Sequence, residues 1–292
     1  MPGPRPDGRA YDEFREMTIT YEGLDRVDGS ARFGFGETAA LASFSGPIEV
    51  RLALEHPSHA TLEIILRPLS NIPGTEAKSL AATIRNLLTP SLLLTVNPRS
   101  LLQLVLQSLS PGVSGRHNAL DSRLVAAMIN ASTLALLNAG SVPMKGVVCA
   151  VAVGSLSSSS NSTPSSILVL DPSDEELLNL QGGGCFAFIF SSITTDATSS
   201  DSAYHCEPVF SSWQAMPKPF TADELFQARD LAQAGAAKVW SAMKDSVGKK
   251  PNARSAFFST QEVSQTATKK EEDDFIEDGS SDSDEEDAKM EI

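Results

Sequence analysis

The segment from Asp121 to Leu136, DSRLVAAMINASTLAL, limits what this chain can become more than any other stretch. Its apolar residues recur at helical spacing, and Asp121 stands where a helix needs a side-chain acceptor for its first free amides. The spacing predicts an amphipathic helix ending at Asn138-Ala139-Gly140, since glycine leaves a helix through the left-handed conformation at little cost. Ala126, Ala127, Asn130 and Ala131 share one side of it, a small-residue face able to lie close against a sheet.

A helix of that kind needs strands to lie on, and the flanking sequence supplies them. Met17–Tyr21 alternates, and Asp28-Gly29-Ser30 turns into Ala31–Gly36. Ala39–Phe44 is extended and is expected to stop at Gly46-Pro47, with further strands at Ile48–Leu54, Ala60–Arg67 and Leu101–Leu109. Glu76–Leu88 repeats Leu80, Ile84, Leu87 and Leu88 at helical spacing, and Pro90 limits it. Beyond the central helix, Val147–Val153 and Ser166–Leu170 are expected strands joined by the low-complexity loop 155–165. Cys185–Phe190 is another, entered through Gly182-Gly183-Gly184. Thr221-Ala222-Asp223-Glu224 is a capping box that opens a helix running to about Met243. Strands followed by helices, twice over, predict an α+β domain with sheet packed on helices.

The net charge of −14 is unevenly placed. Residues 271–292 hold twelve of the 37 acidic residues against one of the 23 basic ones, a balance of −11, which leaves 22 basic against 25 acidic, or −3, for the rest. A nearly neutral body does not grip nucleic acid with its whole surface, although a local basic channel stays compatible. The boundaries expected are an N-terminal extension over 1–16, one domain over 17–244, and a disordered acidic tail over 245–292 that cannot bury enough apolar surface to order itself. Ser280, Ser281 and Ser283 precede acidic residues, the pattern acidophilic kinases favour, though a plain solvated tail is the simpler reading. Cys149, Cys185 and Cys206 form neither a CxxC pair nor an even framework, which points to free thiols in a reducing compartment, cytosol or nucleus. The N-terminus is too polar and proline-rich for a signal peptide, and the apolar run Val147–Val153 is too short to span a bilayer.

Several motifs occur in a fixed order: Arg5-Pro6-Asp7-Gly8-Arg9; Asp28-Gly29-Ser30-Ala31 followed by Gly36-Glu37-Thr38; Asn97-Pro98-Arg99-Ser100; Asn130-Ala131 with Leu134-Ala135-Leu136 and Ala139-Gly140; and Val169-Leu170-Asp171-Pro172-Ser173. Together they resemble the RNase PH-like subunits of the eukaryotic RNA exosome over about residues 5–245. The resemblance implies the RNase PH-like βαβα fold, similar to the second domain of ribosomal protein S5. It also implies a hexameric ring of RNase PH-like subunits with S1/KH cap subunits, through which RNA threads, in nucleus, nucleolus and cytoplasm.

The same resemblance locates a phosphorolytic site and finds it altered. Where active relatives carry arginines for phosphate and RNA, this chain has Asn86 and Thr89. Where they carry Asp-Gly-Gly-Thr, a phosphate cradle at a helix start, it has Ser122, Arg123 and Leu124. A leucine side chain cannot donate to phosphate, and arginine in place of glycine blocks close backbone approach. Of the family's carboxylates Asp171 remains, while Ser173, Leu177 and the region of Gly183 stand where others would be. No catalytic residue is therefore assigned, and no metal or cofactor is expected. Arg67, Arg99, Arg116 and Arg123 are candidates to neutralise RNA phosphates, with salt bridges to helix ends or neighbouring subunits as the plainer reading.

Other signals lead less far. Gly34-Phe35-Gly36-Glu37-Thr38-Ala39 fits a dinucleotide fingerprint but precedes a strand, not a helix. His56 and His59 lack a Cys or acidic cluster at zinc-ligand spacing. The reading is a non-catalytic exosome ring subunit. The alternatives are a phosphate-dependent 3′-to-5′ exoribonuclease and a nucleic-acid-binding homodimer acting outside the complex.

Overall fold

The structure, a computed structural model, describes residues 5–111, 121–157, 166–192, 204–215 and 220–248. Its first sheet contains β1 (Met17–Thr20), β2 (Gly29–Phe35), β3 (Thr38–Glu49), β4 (Thr61–Arg67) and β5 (Ser100–Ser108), in the spatial order β1-β2-β3-β5-β4. Neighbours are antiparallel except β4 and β5, which run parallel because α1 (Thr75–Leu88) carries the chain back between them. The second sheet has β6 (Val147–Ser157), β7 (Ser166–Leu170), β8 (Leu180–Ser192) and β9 (Tyr204–Ala215), ordered β7-β6-β8-β9 and antiparallel throughout. Between the sheets runs α2 (Ser122–Ala139); α3 (Asp174–Leu177) is a single turn, and α4 (Ala222–Gly248) closes the described chain. The α+β expectation is met.

Alternation decides what faces what. In the first sheet Ala31, Phe33, Phe35, Ala40, Ala42, Phe44, Leu102, Leu104 and Leu106 are buried on one face, where α1 and α2 pack. Leu41, Ser43, Gln103, Val105 and Gln107 alternate with them on the other face and are half-buried. The second sheet is covered on both sides. Cys149, Phe188 and Phe190 meet α4, with Cys149 Sγ 3.8 Å from Met243 Sδ and Phe190 stacked on Trp240 at 5.6 Å. The opposite face carries the small residues Ala150, Ala152, Cys185 and Ala187, and α2 lies against it.

This sandwich corrects the amphipathic expectation for α2. Every residue from Val125 to Leu136 is buried, because one side meets the first sheet and the other meets the second. The small-residue face does approach a sheet closely. Asn130 also does something more specific. Strand β7 pairs with β6 only from Val153 to Ser157, which leaves the edge of β6 at Val148–Ala152 without a neighbouring strand. Asn130 fills that place: its Nδ2 donates to Ala150 O at 2.8 Å and its Oδ1 accepts from Ala150 N at 2.7 Å. Thr133 Oγ1 donates to Val148 O at 2.8 Å, and Asp171 N donates to Ala152 O at 2.9 Å. A helix side chain thus satisfies buried strand groups that would otherwise be orphaned.

Other boundaries moved for local reasons. Strand β3 does not stop at Gly46-Pro47 but continues to Glu49, because the ladder to β5 skips between Ser45 and Ile48 and so needs no N–H from Pro47. Gly46 N donates instead to Asp28 Oδ2 (2.7 Å), and its carbonyl accepts from Ser141 Oγ (2.6 Å). Of the expected strand Ile48–Leu54 only Ile48 and Glu49 are extended within β3, and Leu52–Leu54 is a 3-10 turn. Gly182–Gly184 lie inside β8, not before it; a Cβ on Gly184 would stand 1.6 Å from Ser212 O of β9. The loop expected from Ser155 begins later, since β6 continues to Ser157, and 158–165 lie outside the described residues. Strand β9 itself had no clear sequence signal: Pro208 interrupts it and a register shift opposite Ala187/Phe188 breaks its alternation. Helix α4 passes Lys244 and runs to Gly248, and the tail expected to be disordered lies outside the described residues. Residues 5–16 are no peripheral lead-in, because Phe14 stacks on Phe35 at 5.1 Å and Arg5 is 4% exposed. Among the described residues no helix is long and apolar enough to cross a membrane.

Candidate functional site

The start of α2, the end of β7 and the N-terminal segment converge. Asp121 caps α2, accepting from Arg123 N at 3.0 Å, so a carboxylate of the chain itself sits where the helix terminus would attract an anion. The guanidinium of Arg123 clamps that carboxylate from the other side, Nε to Oδ1 at 3.0 Å and Nη2 to Oδ2 at 2.7 Å. Its Nη1 donates to Asp174 Oδ1 (2.5 Å) and to Pro172 O (3.3 Å). Burial disfavours the charged guanidinium, yet the hydrogen bonds and charges of Asp121 and Asp174 outweigh it and hold its pKa above the ordinary arginine value.

Arg123 is therefore removed from the RNA-contact candidates. It is 1% exposed and its donors point at its own chain, because a buried guanidinium must find carboxylates nearby. Arg67 and Arg99 are both exposed. Arg99 pairs with Glu55 at 3.4 Å, and Arg67 ends β4. Arg116 lies outside the described residues.

Asp171 sits 1% exposed at the end of β7 with φ of 45°, a left-handed conformation that aspartate tolerates better than most residues. Arg15 holds it bidentately, Nε to Oδ2 at 2.8 Å and Nη2 to Oδ1 at 2.7 Å, and Arg15 N adds a third bond to Oδ2 at 3.0 Å. Arg9 lies 3.7 Å from Oδ2. Beside them Arg5 forks onto Glu176, Nε to Oε1 at 2.8 Å and Nη2 to Oε2 at 2.7 Å. Burial alone would raise the Glu176 pKa; the bonds from Arg5 and from Ser173 N win and hold it below the ordinary 4.5. The ion pairs form two neighbouring groups, Arg5, Arg9 and Arg15 with Asp7, Asp171 and Glu176, and Arg123 with Asp121 and Asp174, four guanidiniums against five carboxylates in all. Each cation in the set faces a carboxylate, so the set carries no surplus positive charge to offer a phosphate.

The remaining positions do not join this cluster. Asn86 and Thr89 are exposed at the C-terminal end of α1, where Thr89 Oγ1 donates to Arg85 O at 2.7 Å. Ser122 is half-buried in the first turn of α2, and Leu124 packs its side chain against the core. His56 and His59 stack on each other at 4.6 Å, and among the described residues no group of three His, Cys, Asp or Glu side chains could hold a metal ion. The N-terminal arginines were missed as partners of Asp171 and Glu176. Their only signal was the Arg5–Arg9 motif, and ion pairing across more than 150 residues leaves no trace in local spacing.

Comparison with known proteins agrees with this architecture. Residues 13–141 match the model of the 3′ exoribonuclease family, domain 1. Over those residues the chain is similar to RNase PH domains. It is similar to the exosome complex exonuclease RRP46 homolog of Oryza sativa, with 33% identity over 156 residues, 53% of this chain and 61% of that protein. It is similar also to the exosome complex component RRP46 of Saccharomyces cerevisiae, with 32% identity over 154 residues, 53% of this chain and 65% of that one. The matched stretch thus spans less than two thirds of either relative. The crystal structure of rice Rrp46 superposes with a TM-score of 0.64 at 24% identity, covering 83% of this chain and all of that one, which establishes the shared fold.

Proposed function

We propose that this chain is a non-catalytic subunit of the RNA exosome ring. In that role it supports 3′-to-5′ processing and decay of RNA, ribosomal RNA maturation included, by shaping the channel that leads RNA to a nuclease elsewhere. Its partners are other RNase PH-like subunits, S1/KH cap subunits and the RNA itself, in nucleus and cytoplasm. The names of its relatives support the assembly. The observation that carries the non-catalytic part is the start of α2, where Asp121 and Arg123 occupy each other instead of a phosphate.

Phosphorolysis needs a bound phosphate nucleophile and donors aimed at the developing charge. Here the amide of Arg123 is spent on Asp121, and the carboxylate of Asp171 is spent on Arg15. Losing several such groups together, at roughly 10²–10⁴-fold for each acid or base, leaves negligible turnover. Of the four candidate arginines, Arg67 and Arg99 are the ones exposed among the described residues.

The competing reading is a phosphate-dependent exoribonuclease, favoured by the retention of Asp171. Incubating the purified chain with single-stranded RNA, phosphate and magnesium separates the two. The proposal expects no nucleoside diphosphate; release that disappears in Asp171→Asn establishes the enzyme. Tagged protein recovered from cells is expected to bring RNase PH-like and S1/KH subunits with it.

A further inference from the structure

The first sheet is covered on one side only. Helices α1 and α2 pack on its inner face and α4 packs on the second sheet; among the described residues no helix lies over the outer face. Strand register fixes what that face presents. Val105 lies directly beside Ile65, and Leu41 lies diagonal to Val105 on the next strand. These three half-buried apolar side chains form one stripe across β3, β5 and β4, a surface that ordinarily takes a second layer of structure.

Cations flank the stripe. Arg32 lies directly beside Leu41 and is the one exposed residue of β2, and Arg67 stands two residues beyond Ile65 on β4. Arg32, Leu41, Gln107 and Arg67 occupy one row on consecutive strands, and a strand spacing of about 4.8 Å sets the two arginine backbones ~14 Å apart. Neither guanidinium has an ion-pair partner among the described residues. The one carboxylate among the outward residues of the five strands, that of Glu63, accepts from Gln103 Nε2 at 2.9 Å.

We propose that this face docks an amphipathic helix of another protein, one whose apolar stripe is flanked by carboxylates two to three turns apart. Leu41, Val105 and Ile65 take the apolar side, and Arg32 and Arg67 take the carboxylates, since ~14 Å is about nine residues of helix. Two other occupants fit less well. A second copy brings the same two cations and one carboxylate to a face that already holds that balance. A polynucleotide pairs with the cations but leaves the apolar stripe wet, and the outward residues of the five strands include no aromatic ring on which a base can stack. The docking uses one sheet face and stands apart from the ring reading.

Fluorescence anisotropy tests it, with the full chain titrated into a labelled helix-forming peptide of about 18 residues. The peptide carries a leucine stripe with glutamates flanking it about three turns apart, and a second peptide has lysines in their place. The wild type is expected to bind the glutamate peptide about tenfold or more tightly than the lysine one. Arg32→Glu combined with Arg67→Glu is expected to reverse that preference, and Val105→Asp to weaken both peptides about tenfold or more. Melting temperatures taken alongside separate a lost surface from a lost fold. The absence of saturable binding overturns the inference, as does a charge preference that is missing or that the double variant fails to reverse. So does a single-stranded oligonucleotide that displaces the glutamate peptide from the two arginines. Self-association of the wild type that Val105→Asp abolishes assigns the face to a second copy and overturns it too.

Discussion

Replacing Arg123 by alanine is the sharpest perturbation of the buried cluster. Its guanidinium and the Asp121 carboxylate are 1% and 2% exposed and share two charge-assisted bonds, at 3.0 and 2.7 Å. The change leaves Asp121 with one bond, from the amide of residue 123. Asp174 counts for little, because its side chain is 57% exposed and water solvates it once freed. Removing one partner of a buried pair costs about 3–5 kcal/mol, most of it the uncompensated charge left behind. For a domain of this size that corresponds to a fall of roughly 6–20 °C in melting temperature. Urea unfolding followed by tryptophan fluorescence measures the free energy directly. Adding Asp121→Asn removes the stranded charge and should recover a substantial part of the loss, a coupling of about 1–3 kcal/mol. Arg123→Lys should not rescue, since a point charge cannot reproduce the fork. An Arg123→Ala variant within about 1 kcal/mol of wild type refutes the reasoning that this pair is desolvated and structural.

Further outcomes follow from single contacts. Asn130→Ala orphans the Ala150 N–H and C=O at roughly 1–3 kcal/mol each, and hydrogen exchange should show the Ala150 amide losing protection before its neighbours. Gly184→Ala drives a Cβ to 1.6 Å from Ser212 O, so β8 and β9 must part; a soluble variant should melt well below wild type, and unchanged melting counts against the close approach. Glu176, its pKa held below 4.5 in the fold, adds stability that is present above that value and fades as pH falls through the depressed one. The deficit of Glu176→Gln relative to wild type should therefore be full at neutral pH and shrink on acidification; a deficit that grows in acid reverses the assigned direction.

How much could be read without coordinates depends on the range of the interaction concerned. Asp121 as cap and Gly140, at φ of 61°, as helix stop are local chemistry and were legible, as was α1. The passage of β3 through Gly46-Pro47 was not, because Asp28 and Ser141, distant in sequence, satisfy the backbone there. The glycines of β8 read as the entry to a strand until β9 is seen pressing on Gly184. Arg123 shows the same limit at the site: its composition suits phosphate, and only the fold reveals that Asp121 and Asp174 have claimed it. Of the positions expected at a phosphorolytic site, Asp171 and Arg123 come to rest in separate ion-pair groups, while Asn86 and Thr89 sit on the end of α1.

Calorimetric titration of the purified chain with inorganic phosphate probes the occupied helix start most directly, with a sulfate-soaked crystal as its structural counterpart. The account predicts no saturable binding at millimolar phosphate and no anion against the amides of Arg123 and Leu124. Saturable binding, with the anion seated there and Asp121 displaced, contradicts it.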